Sequence, residues 1–280
     1  MNVHAALRSC TLHAARQSAH HFTAADGEHT DYSGGLALPF AIQESLVLEV
    51  DFSATEYIGH PTVVELWAAA GGPPAELSID SNIPIGKGMS SSAALCVAIA
   101  LCVSGETGTM DTCHLAQRIE HQVLGTKCGL LDQMAMIFAK KDHATLIDFS
   151  THSIEWIELP LSWQFKLYDS QIHRTLSSTE YGFESIYQMK HVSEENQRVI
   201  QSLNANSKEL GDLINQSHKS LQHLGVSLPA IDEKVRGLQQ TDGVLGARMM
   251  GGGFGGMILV LVEDDHVLPE AIPVISSGPA

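Results

Sequence analysis

The chain has 280 residues, of which 32 are acidic and 16 are basic, and its formal net charge at pH 7 is −16. Hydrophobic residues make up 44% and charged residues 17%, which is typical of a globular protein and too apolar for an intrinsically disordered chain. Because a negative field repels phosphate, the charge argues against nucleic acid or an anionic membrane as a partner. Any phosphate group that binds must therefore be held locally, by backbone N–H groups, a metal ion and a few placed cations.

The cysteines and the apolar segments predict a cytoplasmic protein. Five cysteines form no C-x-x-C pair and no even-numbered framework, which favours free thiols in a reducing compartment. The longest strongly apolar run, residues 93–103, is too short to span a bilayer. The N-terminal residues contain no continuous apolar core, so we expect no secretory signal there.

The first segments in chain order are a predicted helix and a polar motif. Residues 4–21 have helical composition with a weak apolar face. Residues 27–35, Gly-Glu-His-Thr-Asp-Tyr-Ser-Gly-Gly, place Glu28, His29 and Asp31 within four positions. Such a set can bind a polyol through charged hydrogen bonds or ligate a metal, and it is equally compatible with a solvated turn.

Residues 36–50 alternate and are rich in branched side chains, which predicts strand structure, and residues 75–81 lead to another strand after a Gly-Gly-Pro-Pro loop. Residues 84–94, Pro-Ile-Gly-Lys-Gly-Met-Ser-Ser-Ser-Ala-Ala, follow and are called the phosphate loop below. Two glycines let the backbone approach a ligand closely, and a helix predicted over 91–103 presents its N-terminal N–H groups. A glycine turn with a serine cap is the simpler alternative, but glycines, a serine triplet and a helix together favour phosphate binding.

A second helix is predicted over residues 111–124, with Asp111 as its N-cap and Gly125 as its end. Residues 129–133, Gly-Leu-Leu-Asp-Gln, follow it. Asp132 is flanked by apolar residues, and this makes it a candidate general base. The same aspartate could equally be a helix cap, and its local context does not decide between the two.

The rest of the chain interleaves strands and helices. Strands are predicted over residues 144–149, 154–159, 165–169 and 257–262, and helices over most of 180–240 with breaks at Gly225 and Pro229. A loop is predicted from Gly246 onward; its Gly-Gly-Gly-Phe-Gly-Gly stretch, residues 251–256, is called the glycine-rich loop below. It precedes a strand and opens no helix, so it does not fit a dinucleotide-binding fingerprint. This order predicts an α+β protein of two domains, 1–158 and 159–280, with the site between them.

Six segments together resemble the GHMP kinase superfamily and, within it, the galactokinase family, over about residues 27–262. They read GEHTDYSGGLALPFAI, IPIGKGMSSSAAL, CGLLDQMAMIFAKKDHATLIDF, HRTLSSTEY, LINQSHKSLQHLGVSLPAID and GARMMGGGFGG. The resemblance implies an S5-like N-terminal domain and a ferredoxin-like C-terminal domain. It also implies transfer of the γ-phosphoryl group of MgATP to the anomeric hydroxyl of galactose or a related sugar, by a monomer or weak dimer.

The resemblance assigns roles to individual residues. It implies Asp132 as the base, Glu120 with Ser91 or Ser92 as ligands of Mg²⁺, and a sugar site made of Glu28, His29, Asp31 and Tyr181. The ATP contacts that it implies are Pro84, Gly86, Lys87, Gly88, Met89, Ser90, Ser91, Ser92, Ala93, Gly252 and Gly253.

The chain departs from the family pattern at four places. Phe22 stands where an ungapped match places the family's arginine, and Met250 stands where the family has a threonine. Tyr181 is followed by Gly-Phe-Glu in place of an arginine pair, and the chain is shorter than its relatives within 41–83 and after 262. Loss of a cation from such a site can slow catalysis ~10³-fold.

We therefore expect slow, magnesium-dependent kinase activity, with Lys87, Lys127 or Arg174 as candidate replacements for the cation. The alternatives are a catalytically weak or inactive sugar-binding or regulatory protein, and a kinase for a different sugar.

Overall fold

The structure is a computed structural model that describes residues 11–12, 16–19, 27–84, 86–105, 108–173 and 186–279. The strands in these ranges are β1 Thr11–Leu12, β2 Arg16–Ala19, β3 Leu36–Ala37, β4 Phe40–Asp51, β5 Glu76–Ser81, β6 His143–Asp148, β7 Ser153–Glu158, β8 Gln164–Asp169, β9 Val244–Met249, β10 Met257–Val262 and β11 Ile272–Pro273. The helices are α1 Pro61–Ala69, α2 Ser91–Ser104, α3 Met110–Ile119, α4 Leu131–Ile137, α5 Ile186–Ser202, α6 Ser207–Leu224 and α7 Pro229–Gln239. None of the described helices is long and apolar enough to cross a membrane.

The strands form three antiparallel sheets. In the first, β1, β2 and β5 all pair with the long strand β4. The second has the order β3-β6-β7, and the third has the order β11-β8-β10-β9. The helix predicted over residues 4–21 is wrong at the described positions, because 11–12 and 16–19 pair with β4; tertiary pairing outweighs the local preference there.

Helix α2 lies at the centre of the N-terminal half and packs against β4, α3 and α4. It is apolar on all sides, and most of its residues from Ala93 to Cys102 are buried. Small alanine side chains allow neighbouring elements to approach it closely. The predicted helix over 91–103 is thereby confirmed, and the buried position of α2 fixes where its N-terminus lies.

In the C-terminal half, α6 and α7 pack against β9, and α5 packs against α6. Gly225 ends α6 in a left-handed conformation and Pro229 begins α7, as predicted. A further break lies at Asn206, which caps α6 together with Glu209. The loop predicted from Gly246 is wrong in part, since residues up to 249 belong to β9 and pair with β10.

Helix α3 begins differently from the prediction. Thr109, and not Asp111, is its N-cap, and the Thr109 hydroxyl accepts a hydrogen bond from the Thr112 N–H at 3.4 Å. Asp111 lies in the first turn, where a negative charge also stabilises the helix. The helix continues into a single π-helical turn, Glu120–Leu124, that ends at Gly125 as predicted.

The main apolar core contains residues on both sides of the predicted domain boundary at 158, among them Ile99, Phe165 and Met257. The division into 1–158 and 159–280 therefore stays a prediction. The mixed helix and sheet architecture itself is the α+β fold that the sequence predicts.

Candidate active site

A solvent-open cleft brings together many of the predicted site residues. Those that line it are Glu28, His29, Asp31, Ser90, Ser92, Glu120, Asp132 and Gly252. Segments that are far apart in the chain thus meet at a single cleft. They are residues 27–32, the start of α2, the π-helical turn, the start of α4 and the glycine-rich loop. Tyr181, Phe22 and Arg174 lie outside the described residues.

The phosphate loop is fixed by contact with the glycine-rich loop. The Met257 N–H donates to the Lys87 carbonyl at 2.9 Å, and a Cβ atom on Gly256 would lie 2.3 Å from that carbonyl oxygen. Gly256 also has a φ of +94°, which a larger residue would rarely adopt. The close approach of the two loops therefore requires glycine, and it sets the N-terminus of α2 facing the cleft.

Not every residue of the phosphate loop reaches the cleft through its side chain. Ser90 adopts a left-handed conformation and makes no side-chain cap for α2. Met89 and Ala93 are buried in the core. Gly253 packs its backbone against the Val226 carbonyl, away from the lining of the cleft. The nucleotide contacts assigned to these residues, and to the rest of the phosphate loop and Gly252, stay predictions.

Glu120 begins the π-helical turn, and its buried carboxylate accepts three hydrogen bonds. The Ser92 hydroxyl donates to Oε1 at 2.8 Å, and the Gln133 amide donates to Oε2 at 3.1 Å. The Cys128 thiol donates to Oε2 at 3.6 Å. The pKa of Glu120 is raised to about 7, mainly by burial and to a smaller extent by the nearby charge of Asp132, while the three hydrogen bonds lower it.

A carboxylate and a hydroxyl placed together are ligands of the kind that Mg²⁺ prefers. Glu120 and Ser92 are close enough to share one ion, and Asp132 lines the same cleft. The described residues hold no group of three or more His, Cys, Asp or Glu side chains that could bind a metal. Mg²⁺ in nucleotide sites generally uses one or two protein ligands and substrate phosphates, and this donor set fits that pattern.

Asp31 connects the polar motif at residues 27–35 to the start of α4. Its Oδ2 accepts a hydrogen bond from the Leu131 N–H at 3.1 Å, and a Cβ atom on Gly129 would overlap this carboxylate. Burial, with a smaller effect from the Asp132 charge, raises the pKa of Asp31 to about 6. Asp31, Asp132 and Glu120 therefore form a set of three interacting carboxylates.

Glu28 makes an ion pair that the sequence did not reveal. Its Oε2 lies 3.0 Å from Arg248 Nη1, and its Oε1 accepts a hydrogen bond from the Gly251 N–H at 2.9 Å. Both side chains are buried. The sequence feature that could have indicated this ion pair is the single arginine inside the apolar strand β9. A charged side chain that is buried normally has a partner of opposite charge. Glu28 thus joins the N-terminal half to the glycine-rich loop, and its predicted contact with sugar stays a prediction.

His29 and Tyr32 form a second pair at the cleft. The His29 Nδ1 atom and the Tyr32 hydroxyl are 2.9 Å apart, and His29 has a φ of +58°. Tyr32 also lines the cleft, although it is not among the site residues that the sequence predicted. Aromatic rings commonly line sugar sites because their faces pack against C–H groups while a hydroxyl remains for hydrogen bonding.

The three candidate replacement cations have different positions. Lys87 binds Asp169 at the end of β8, with its Nζ 2.8 and 3.0 Å from the two carboxylate oxygens. Lys127 is exposed and lines the cleft, where it is the one lysine or arginine among the described lining residues. Arg174 falls outside the described part of the chain.

The comparisons with known proteins agree with this geometry. Family models match "GHMP kinases N terminal domain" at residues 57–140, "GHMP kinases C terminal" at 199–276 and "Galactokinase galactose-binding signature" at 27–51. The chain is 33% identical to a galactokinase of Thermotoga maritima over 84% of this chain and 85% of that one. It is 31% identical to a galactokinase of Thermosipho africanus over 85% and 86% of the two chains.

Two solved structures share the fold. Lactococcus lactis galactokinase complexed with galactose matches with a TM-score of 0.78 and 22% identity, over 95% of this chain and 92% of that chain. Methanococcus jannaschii mevalonate kinase matches with a TM-score of 0.66 and 17% identity, over 90% and 95%. On the identity and coverage of its relatives, together with the three matching family models, the chain belongs to the galactokinase family of the GHMP kinases.

Proposed function

We propose that the protein is a galactokinase that transfers the γ-phosphoryl group of MgATP to the anomeric hydroxyl of galactose. The observation that carries this proposal is the convergence of Asp31, Asp132, Glu120 and Ser92 at the cleft formed by the N-terminus of α2. Phosphoryl transfer requires positioning, neutralisation of charge and a base for the attacking hydroxyl. Each of these requirements has a candidate group in this cleft.

In this mechanism Asp132 accepts the proton of the sugar hydroxyl. The N–H groups at the start of α2 bind the phosphate oxygens, and Glu120 with Ser92, or Ser91, holds Mg²⁺. When bound, Mg²⁺ neutralises negative charge on the phosphates. Asp31 and His29 orient the sugar hydroxyls, together with Glu28 and Tyr181. Charged hydrogen bonds of this kind can favour one epimer over another, because a displaced hydroxyl leaves a buried charge without its partner.

We further propose that Lys127 supplies a cation that the family's arginine supplies in related enzymes. Its support is its place in the lining of the cleft, while Lys87 is bound to Asp169. Lys127→Met is expected to lower kcat by about 10²-fold and Lys127→Arg to retain most of it. Lys219, exposed on α6, offers a matched control as Lys219→Met. Equal kcat values for Lys127→Met and the control would contradict the role of Lys127.

The decisive experiment incubates the protein with MgATP and each hexose of a panel. It measures the release of ADP and identifies the phosphorylated sugar. Galactose should give the highest kcat/KM, and phosphorus NMR should identify a sugar 1-phosphate. Asp132→Asn is expected to abolish turnover and to leave binding of MgATP intact. Full activity of Asp132→Asn would show that the base has been assigned wrongly.

Phe22, which stands where an ungapped match places the family's arginine, is the observation behind a second candidate, a sugar-binding or regulatory protein without turnover, which the galactokinase relatives do not favour. This protein would bind galactose and MgATP and release no ADP. A third outcome, a higher kcat/KM for another hexose, would identify a kinase for a different sugar. Cys96 and Cys113 are buried and form no disulfide within the described part of the chain, which supports a cytoplasmic location.

A further inference from the structure

Side chains of helix α5 form hydrogen bonds to the backbone of the segment that carries the predicted sugar-binding residues. We call residues 27–36 the signature loop. The Gln188 side-chain amide donates to the His29 carbonyl at 2.7 Å, and His191 Nε2 donates to the Glu28 carbonyl at 2.8 Å. The Leu36 N–H donates to Asn196 Oδ1 at 2.7 Å. A fourth bond, from the Gly27 N–H to Glu195 Oε2, measures 3.4 Å.

From this arrangement we infer that Gln188, His191 and Asn196 are positioning residues for the sugar. They are absent from the described lining of the cleft, so they act through the signature loop. The inference rests on the proposed function and extends it, because it assigns the orientation of the sugar site to a helix on which no sugar contact is predicted.

The side chains of α5 are themselves held in place. His191 Nδ1 lies 2.8 Å from the Ser220 hydroxyl of α6, and Glu195 is bound by Arg198 and by the Ser217 hydroxyl. Since a carbonyl can only accept, His191 carries a proton on Nε2. The contact between Nδ1 and the Ser220 hydroxyl fixes the orientation of the ring against α6.

The backbone of the signature loop needs this support. His29 has a φ of +58°, and residues Asp31–Ser33 form a short 3-10 turn. A non-glycine residue in the left-handed region persists only where its surroundings determine it strongly. Hydrogen bonds to the carbonyls of Glu28 and His29 hold the two peptide groups on either side of the His29 Cα atom. Without them the loop can relax, and His29 and Asp31 lose their common orientation.

The test compares variants that keep or remove the acceptor at position 196. Asn196→Asp keeps an oxygen that can accept from Leu36, whereas Asn196→Leu leaves that N–H without its partner. Asn196→Leu is expected to raise KM for galactose roughly 10-fold or more and to leave KM for MgATP within about twofold. Asn196→Asp should restore a KM close to that of the intact protein. Gln188→Met removes the donor to His29 and should act like Asn196→Leu.

Hydrogen exchange of the amides in residues 27–36 provides a readout that does not depend on activity. Exchange of the Leu36 amide should become at least 10-fold faster in Asn196→Leu and should remain slow in Asn196→Asp. Unchanged exchange in Asn196→Leu would overturn the inference, even if the intact protein phosphorylates no sugar. Equal increases of both KM values, or an unchanged KM for galactose in both Asn196→Leu and Gln188→Met, would overturn it as well.

Discussion

Replacing Asp31 with asparagine is expected to stabilise the fold at neutral pH and to leave its stability unchanged in acid. The ordinary pKa of an aspartate is 3.8, and burial raises the pKa of Asp31 to about 6. Between these values the folded protein holds a proton that the unfolded chain has released. The free energy of unfolding therefore falls as the pH rises through this interval, and it stays lowered at higher pH.

The separation of the two pKa values sets the magnitude. Since one pKa unit corresponds to about 1.4 kcal/mol, ionised Asp31 lowers the free energy of unfolding by on the order of 3 kcal/mol. Asparagine keeps an oxygen that can accept from the Leu131 N–H, and it carries no charge towards Asp132. Asp31→Asn should gain most of this energy above about pH 7 and almost none below about pH 4. The same variant should lose affinity for galactose.

Urea unfolding between about pH 3 and pH 8 measures this difference, with Asp148→Asn as a control of opposite sign. Hydrogen bonds from Ser150 lower the pKa of Asp148, so its ionised form stabilises the fold at neutral pH. Asp148→Asn should therefore lose stability at neutral pH, and its deficit should shrink in acid. A gain for Asp31→Asn that does not depend on pH, or the absence of any gain at pH 8, would refute the reasoning.

Three further changes have expected outcomes. Glu120→Gln should weaken binding of MgATP about 10-fold in calorimetry, because it removes a metal ligand, and should not weaken binding of ATP in EDTA, because it also removes a negative charge that repels metal-free nucleotide. Lys166→Met should lower the free energy of unfolding by about 2 kcal/mol in urea, because the buried Lys166 ammonium donates to three carbonyls at residues 265–268. Arg248→Met should destabilise by about 3–5 kcal/mol, because it leaves the Glu28 carboxylate buried without its ion pair; adding Glu28→Gln should restore part of that loss.

The features that the sequence predicted correctly depend on neighbours in the chain. The helix that follows the phosphate loop and the helix boundaries at Gly225 and Pro229 all depend on residues within a few positions. Predictions from local preference were wrong where two neighbouring residues could each be the N-cap of a helix. Thr109 caps α3 because its hydroxyl reaches the Thr112 N–H, while Asp111 is already inside the first turn.

The features that the sequence did not predict depend on distant partners. Arg248 is 220 positions from Glu28, and His191 is 163 positions from the Glu28 carbonyl that it binds. The local sequence predicts that such polar residues lie in helices or apolar strands. It does not predict which distant group forms their hydrogen bonds or ion pairs. The same limit applied to the cation, since three candidates were equivalent until Lys87 was found bound to Asp169.

The charge balance of the cleft supports the proposed dependence on a divalent ion. The described lining of the cleft contains the carboxyl groups of Asp31, Glu120 and Asp132, and Lys127 is its one lysine or arginine. A nucleotide without metal therefore meets a repulsive field there. Burial raises the pKa of Glu120 to about 7, which makes its ionised form unfavourable in the free protein. On the proposed function, a divalent cation would bind that ionised form, and its binding would lower the pKa of Glu120 and release a proton near neutral pH. The carboxylates whose ionised forms burial disfavours would then be the groups that select the metal-bound nucleotide.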